Sequence, residues 1–280
     1  MRSFEGCVAV VTGAASGIGE ALAIELSRRG AHLALADIDQ SELNRVADVV
    51  RSPGSRCSVH HVDVAHRDQV EQFAQDVLDS HGGAQLLINN AGVALADFAA
   101  TQRYADFERV MNINFWGVVY GTRAFLPLLS DAKAAHIVNI SSLFGLGALP
   151  SQSAYNASKF AVRGYTEALK MELADTAIGV SCVHPGGVKT NIVRNSVIAE
   201  AHVPMNKQRF IEYFDRLAMT TPEQAAQIIL KGVSKNKRRI LVGRDARFAD
   251  FIIRLFPGSY ERWLKLERPI TERWRSLRGR

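Results

Sequence analysis

Six short runs of almost unbroken apolar residues recur along this chain, at 7–11, 32–36, 58–62, 85–89, 136–140 and 179–183. A strand with one wet face alternates apolar and polar side chains. A run without that alternation is buried on both faces, as in a parallel sheet covered by helices. Helical patterns fill the intervals, at 17–29, 40–51, 67–80, 104–129, 152–175 and 222–234. The last begins with Thr221 at an N-cap position, Pro222 at the first helical position and Glu223 in the first turn, and a seventh strand at 240–242 follows it. Strands alternating with helices in this way predict an α/β fold, a doubly wound parallel sheet of about seven strands with helices on both faces. No fixed-period repeat, low-complexity segment or linker divides the chain, so one domain is predicted over residues 1–244.

With 47% hydrophobic and 22% charged residues the chain has the composition of a folded globular protein and not of a disordered or fibrous one. Cys7, Cys57 and Cys182 are odd in number, far apart and set among apolar neighbours, which predicts buried thiols in a reducing compartment, with no disulfide framework and no metal site. The first seven residues hold no apolar signal segment, and no run approaches the ~18 apolar residues needed to span a bilayer. A cytoplasmic location is therefore expected. The net charge of +6 is uneven: residues 237–280 carry thirteen Lys and Arg against five Asp and Glu, a local +8.

The segment Thr12-Gly13-Ala14-Ala15-Ser16-Gly17-Ile18-Gly19 joins the first strand to the first helix. Glycines there let the backbone approach a pyrophosphate, and the helix N-terminus then presents N–H groups and positive partial charge to the anion. Asp37 lies eighteen residues beyond Gly19, at the end of the second strand, where a carboxylate can accept both hydroxyls of an adenosine ribose. The same carboxylate repels a 2′-phosphate, and the neighbouring Ser16 and Ile38 bring no positive charge to attract one. This pattern favours NAD over NADP.

Tyr155 and Lys159 are four residues apart on a predicted helix and so share one face. A free tyrosine, with a pKa of about 10, is a poor base at neutral pH, and a nearby ammonium favours its phenolate. Together with the glycine turn, this pair resembles the short-chain dehydrogenase/reductase family, in the branch with a TGxxxGxG turn and a YxxxK catalytic pair. The resemblance spans roughly residues 5–244. It implies a Rossmann-type fold and a hydride transfer between NAD(H) and an alcohol/carbonyl pair.

It also implies four roles. Tyr155 matches the acid/base, and Lys159 the residue that binds the nicotinamide ribose and lowers the tyrosine pKa. Ser142 matches the serine that hydrogen-bonds the substrate oxygen, its neighbour Ser141 facing the other way. Asn114 matches the asparagine whose backbone holds a relay water. By the same resemblance Asp63 and Val64 bracket the adenine, Asn90, Ala91 and Gly92 line the cofactor at the end of the fourth strand while Asn89 and Asn90 brace the sheet, and Pro185, Gly186, Val188 and Thr190 receive the nicotinamide.

Substrate contacts are expected from 94–98, with Phe98 on an apolar rim, from the uncharged loop 143–149, and from a lid at 191–220 whose Phe210, Tyr213, Phe214 and Leu217 share a helical face. A hydrophobic alcohol or ketone follows. Residues 245–280 form a basic amphipathic extension in which Phe248, Phe251, Ile252, Leu255 and Phe256 recur at helical spacing. This stripe is expected to pack on the domain or on a sister subunit, the family often forming homodimers or homotetramers. Peripheral membrane contact is the second reading, and nothing in the chain reads as a nucleic-acid motif. The competing functions are an NADP-dependent reductase and a non-catalytic dinucleotide sensor, which tends to lose the acid/base pair retained here.

Overall fold

The computed structural model describes residues 3–51, 54–199 and 206–264, without the side chains of 210, 213 and 217. In chain order the elements are β1 (Val8–Thr12), α1 (Gly17–Arg28), β2 (His32–Asp37), α2 (Gln40–Val50), β3 (Cys57–His61), α3 (Arg67–His81), β4 (Leu86–Asn89), β5 (Leu95–Ala96), α4 (Tyr104–Met111), α5 (Gly117–Ser130), β6 (Ala135–Ile140), α6 (Ser153–Glu172), β7 (Ile178–Pro185), β8 (Val197–Ile198), α7 (Lys207–Leu217), α8 (Pro222–Ser234), β9 (Arg239–Val242), α9 (Arg244–Leu255) and α10 (Tyr260–Trp263). Seven strands form one parallel sheet in the order β3-β2-β1-β4-β6-β7-β9.

The core has two layers because side chains alternate across each strand. Ala9 and Val11 of β1 face one side, with Leu33 and Leu35 of β2, and are covered by Leu22 and Leu26 of α1, Leu43 and Val46 of α2, and Ile229 and Leu230 of α8. Val8 and Val10 face the other, under Val70 and Phe73 of α3, Phe125 and Leu129 of α5 and Leu169 of α6. The chain leaves β1 toward β2 on one side, while β4 pairs on the other. That reversal opens a crevice at the strands' carboxyl ends, between the turns after β1 and β4.

Three expectations need correction. The helix expected over 104–129 is two helices, α4 and α5, joined by one π-helical turn at Asn112–Trp116. A π turn widens the ladder by one residue without breaking the apolar pattern, so helical periodicity does not reveal it. A second, two-stranded sheet joins β5 to β8, each too short to carry an alternation of its own. The C-terminal stripe, finally, packs on the domain only in part. Ile252 is buried with Ala246, Ala249 and Asp250, and Phe256 is half-buried, whereas Phe248, Phe251 and Leu255 are 56–61% exposed. Two ion pairs on Asp250, from Arg239 at 3.0 Å and Arg254 at 3.1 Å, turn the polar edge of α9 inward. Residues 265–280 of the extension lie outside the described part.

Burial raises the Cys7 thiol to about 11 and the Cys182 thiol to about 12, which keeps both protonated and unreactive. No helix among the described residues is long and apolar enough to cross a membrane.

A buried amide network ties the helices to the sheet. Asn89 Nδ2 donates to Asn139 Oδ1 at 2.9 Å and to Thr122 Oγ1 at 3.2 Å, and Asn139 Nδ2 donates to Thr166 Oγ1 at 3.0 Å. Asn139→Ala leaves these groups under-bonded in a region closed to water. The expected loss is about 1–3 kcal/mol, read as a lower urea midpoint at unchanged slope.

Candidate functional site

The turn after β1 is shaped by glycines in a left-handed conformation, with φ of +65° at Gly13 and +59° at Gly17. A Cβ on Gly13 would lie 2.8 Å from Ala91 Cα, and one on Gly19 would strike the Gly13 carbonyl. The turn is clamped to the end of β4: Thr12 Oγ1 accepts from Asn90 N at 3.0 Å and Ala91 N at 3.2 Å, and Asn90 Nδ2 donates to the Thr12 and Gly13 carbonyls, both at 3.0 Å. Asn90 therefore spends its side chain on shaping the turn. Ser16, at the N-cap of α1, makes no side-chain cap bond and is exposed, and Ile18 is half-buried. Thr190, from the loop after β7, lies across this turn with Cγ2 3.1 Å from where a Gly17 Cβ would stand.

Asp37 is held at the edge of the same turn. Its Oδ2 accepts from Ala15 N at 3.0 Å and its Oδ1 from Asp39 N at 3.1 Å. Ile38 beside it is 62% exposed. Beyond β3, Asp63 Oδ1 accepts from Ala65 N at 3.0 Å, and Val64 is buried against Gly117, where a Cβ would lie 2.9 Å from Val64 Cγ2. A cradle closed to any Cβ, a helix N-terminus and a carboxylate one strand over together fit a dinucleotide.

The second group converges from three elements. Ser142 follows β6, Tyr155 and Lys159 stand one turn apart on α6, and Asn114 sits in the π turn. Lys159 is 3% exposed, its Nζ donating to the Ile140 carbonyl at 3.1 Å and lying 5.7 Å from the centre of the Tyr155 ring. A Cβ on Gly92 would come within 3.3 Å of that Nζ and 3.2 Å of Asn114 Oδ1, so a side chain here would press both groups back by a few tenths of an ångström. Asn114 is fully buried. Its Nδ2 donates to the Val93 carbonyl at 2.9 Å and to Ser158 Oγ at 3.1 Å, while Oδ1 accepts from Val93 N at 2.8 Å. Ser141 turns away, donating to the Lys159 carbonyl at 2.8 Å. Ser142 Oγ accepts from Phe144 N at 3.1 Å.

Burial pushes the Lys159 ammonium down to about 8. It pushes the Tyr155 phenol above its ordinary value, the hydrogen bond from Ser142 opposing it. The expected lowering of Tyr155 by Lys159 does not emerge in the chain alone, where the cost of a phenolate out of water leads and Ser142 is the group that opposes it.

The turn after β7 supplies the third group. Pro185 ends the strand, Gly186 N donates to the Val242 carbonyl at 2.9 Å, and Val188 is buried and bridged to Thr220. Sequence reasoning missed the residues that hold these loops. His184 Nδ1 donates to the Ser142 carbonyl at 2.9 Å, and burial lowers this imidazole to about 4. Asp245 Oδ2 accepts from Gly187 N at 2.6 Å, and Tyr260 Oη accepts from Ala148 N at 2.9 Å. No motif marks them, since each acts through a backbone group far away in sequence.

On the substrate side Phe98 is not on a rim. It is 4% exposed, in a tight turn where Asp97 Oδ1 accepts from its N at 2.7 Å. Phe144 takes the apolar position instead, its ring edge-on to Tyr155 at 6.3 Å. The expected lid contains β8 and α7 and is tied internally by Arg194 and Asp215 at 2.5 Å. That pair lines a cavity of about 320 Å³ with Lys189, Thr190 and Asn191. Phe214 is half-buried, whereas the side chains of 210, 213 and 217 lie outside the described part.

The family model described as short chain dehydrogenase matches residues 7–201. The chain is 46% identical over 265 residues to SadH of Mycobacterium tuberculosis, covering 94% of this chain and 95% of that protein. It is 31% identical to a dehydrogenase/reductase SDR family protein 7-like of Drosophila melanogaster, covering 95% of this chain and 81% of the other. A solved short chain dehydrogenase/reductase from Burkholderia phymatum, in complex with NAD, superposes with a TM-score of 0.82 at 31% identity, covering 92% of this chain and 96% of that one. The crevice, the glycine turn and these likenesses agree, and the chain belongs to the short chain dehydrogenase family of oxidoreductases.

Proposed function

We propose that the protein is an NAD-dependent oxidoreductase acting on a hydrophobic secondary alcohol or the corresponding ketone, with Tyr155 as the acid/base. The observation that carries this reading is the meeting of Ser142, Tyr155 and the buried Lys159 at the mouth of the crevice. Gly13, Ser16, Gly17, Ile18 and Gly19 would hold the pyrophosphate, Asp37 the adenosine ribose, Asp63 and Val64 the adenine, and Pro185, Gly186, Val188 and Thr190 the nicotinamide. The bound cofactor supplies the hydride acceptor and a positive charge.

In oxidation the alcohol proton passes to Tyr155 Oη while Ser142 holds the oxygen, and in reduction the phenol returns it. Lys159 keeps a cation beside the phenol, and Asn114 holds the backbone behind it. The uncharged loop 143–149, with Phe144 against Tyr155, favours an apolar substrate over a carboxylate or phosphate. The NAD complex of the Burkholderia phymatum relative supports the same cofactor, as does the placement of Asp37 beside the turn.

The outward stripe of α9, with Arg244, Arg247 and Arg254 also exposed, fits an anionic lipid surface better than a second copy, whose symmetric contact would set the same arginines against each other. Such a peripheral site suits an apolar substrate drawn from the lipid, with the enzyme on the cytoplasmic side.

With lipophilic alcohols and NAD⁺, Tyr155→Phe is expected to lose about 10²–10⁴-fold in kcat/KM. Because Tyr155 is raised and oxidation needs its phenolate, the native rate should climb with pH through the alkaline range, and Ser142→Ala, which removes the lowering hydrogen bond, should move that climb to higher pH. Fluorescence titration should give tighter binding of NADH than of NADPH, by at least about tenfold, and the gap should narrow in Asp37→Ala. Tighter NADPH would overturn the cofactor reading. Phe248→Ser with Phe251→Ser should abolish co-sedimentation with anionic vesicles at unchanged kcat, whereas a lipid-independent doubling of size by light scattering would point to a sister subunit.

A further inference from the structure

The C-terminal helices begin where the catalytic sheet ends, yet two of their side chains reach back to the site. Asp245 projects from the first turn of α9 into a pit between two glycines. A Cβ on Gly186 or on Gly243 would collide with its carboxylate, and Gly243 takes a φ of +98° to start the helix there. A carboxylate so near a helix N-terminus ordinarily serves its own helix. This one accepts instead from Gly187 N, at 2.6 Å, in the turn that follows β7. The other hydrogen bonds that anchor that turn are backbone bonds: Gly186 N to the Val242 carbonyl at 2.9 Å, Lys189 N to the Thr220 carbonyl at 3.0 Å and Thr220 N to the Gly187 carbonyl at 3.2 Å. Asp245 is the side-chain clamp among them.

The second contact falls on the other wall. Tyr260 Oη accepts from Ala148 N at 2.9 Å, and a Cβ on the neighbouring Gly147 would lie 2.7 Å from Ile253 Cδ1 and 3.2 Å from the Tyr260 ring. The loop is therefore pressed against α9 and α10 at one end, while Phe144 at its other end stands edge-on to Tyr155. Tyr260 is fixed in turn, because Phe256 and Trp263 stack at 4.5 Å and join α10 to α9, and Asp250 binds α9 to Arg239 of β9 at 3.0 Å.

We propose that α9 and α10 form a wall of the active site, Asp245 being a positioning residue for the cofactor-side turn 185–190 and Tyr260 a positioning residue for the substrate-side loop 143–149. The inference rests on the function proposed above for those two loops. The two contacts act separately: Asp245 governs how the turn meets the nicotinamide end of the cofactor, and Tyr260 governs the shape offered to the alcohol. A displacement of about 1 Å in either is enough to cost rate or selectivity. An extension outside the family's motif set thus sets how tightly the cofactor is held and which alcohols fit.

The test uses the full chain and the variants Asp245→Ala, Asp245→Asn and Tyr260→Phe, read by hydrogen exchange at 186–188 and 147–149, by NADH fluorescence titration, and by KM and kcat for a lipophilic alcohol. Asp245→Ala is expected to speed exchange at 186–188 and weaken NADH by about tenfold, while Asp245→Asn, which keeps an acceptor oxygen, stays within about threefold of native. Tyr260→Phe should leave NADH binding unchanged, speed exchange at 147–149 and raise the alcohol KM by about threefold or more at similar kcat. Native exchange at 186–188 and native NADH affinity in a folded Asp245→Ala would overturn the proposal, as would equal losses in the Ala and Asn variants. Should Asp245→Ala not fold, Tyr260→Phe decides: native exchange at 147–149 with an unchanged KM refutes the wall. A native protein that binds no NADH and oxidises no alcohol would refute the function instead, and the exchange data would still judge the two anchors.

Discussion

The ammonium of Lys159 is the constraint around which the rest of the site is built. A charge at 3% exposure is costly unless a polar group meets it, and here one carbonyl accepts from it while four elements close around it. The end of β6 gives the Ile140 carbonyl, α6 gives the Tyr155 ring, the π turn brings Asn114, and the chain after β4 passes at Gly92 without a side chain. This convergence requires β4 and β6 to be neighbours, which the parallel register from Leu86↔His136 to Asn89↔Asn139 provides. It also requires α6 to lie across their carboxyl ends, where Thr166 meets Asn139. Sheet order and chemistry are in this sense one problem.

The same burial explains why the two titrating groups move in opposite directions. A low-dielectric surrounding disfavours the charged form of each, so the lysine falls to about 8 and the tyrosine rises. Within the chain, Ser142 is the group that pulls the phenol back. On the function proposed above, the charge brought by a cofactor at the neighbouring turn would add to that pull and would couple cofactor binding to proton transfer.

Much of this was legible in the residues because the strands are doubly buried. Their unbroken apolar runs located β1, β2, β4, β6 and β7 to within a few residues, the edge strands β3 and β9 being only partly buried, and the spacing of Tyr155 and Lys159 put them on one face. What stayed hidden lacks a periodic signature. The π turn at Asn112–Trp116 preserves the helical pattern on both sides, so the device that seats Asn114 is invisible from spacing. Strands β5 and β8 have two residues each. In α9 the pattern set Phe248, Phe251, Ile252, Leu255 and Phe256 on one face, but Ile252 turns inward and Phe248, Phe251 and Leu255 outward, an orientation that Asp245 and Asp250 fix through partners at Gly187, Arg239 and Arg254. Contacts between a side chain and a distant backbone amide, as at Asp245 and Tyr260, leave no trace in local sequence.

The central claim is that Lys159 is a buried cation held beside Tyr155, and its own titration tests that most directly. With ¹³Cε-labelled lysine and Lys159→Arg to assign the signal, NMR should find one lysine with a midpoint near 8 while the exposed lysines titrate at their ordinary value of about 10.4. A Lys159 signal that titrates together with the exposed lysines would contradict the account.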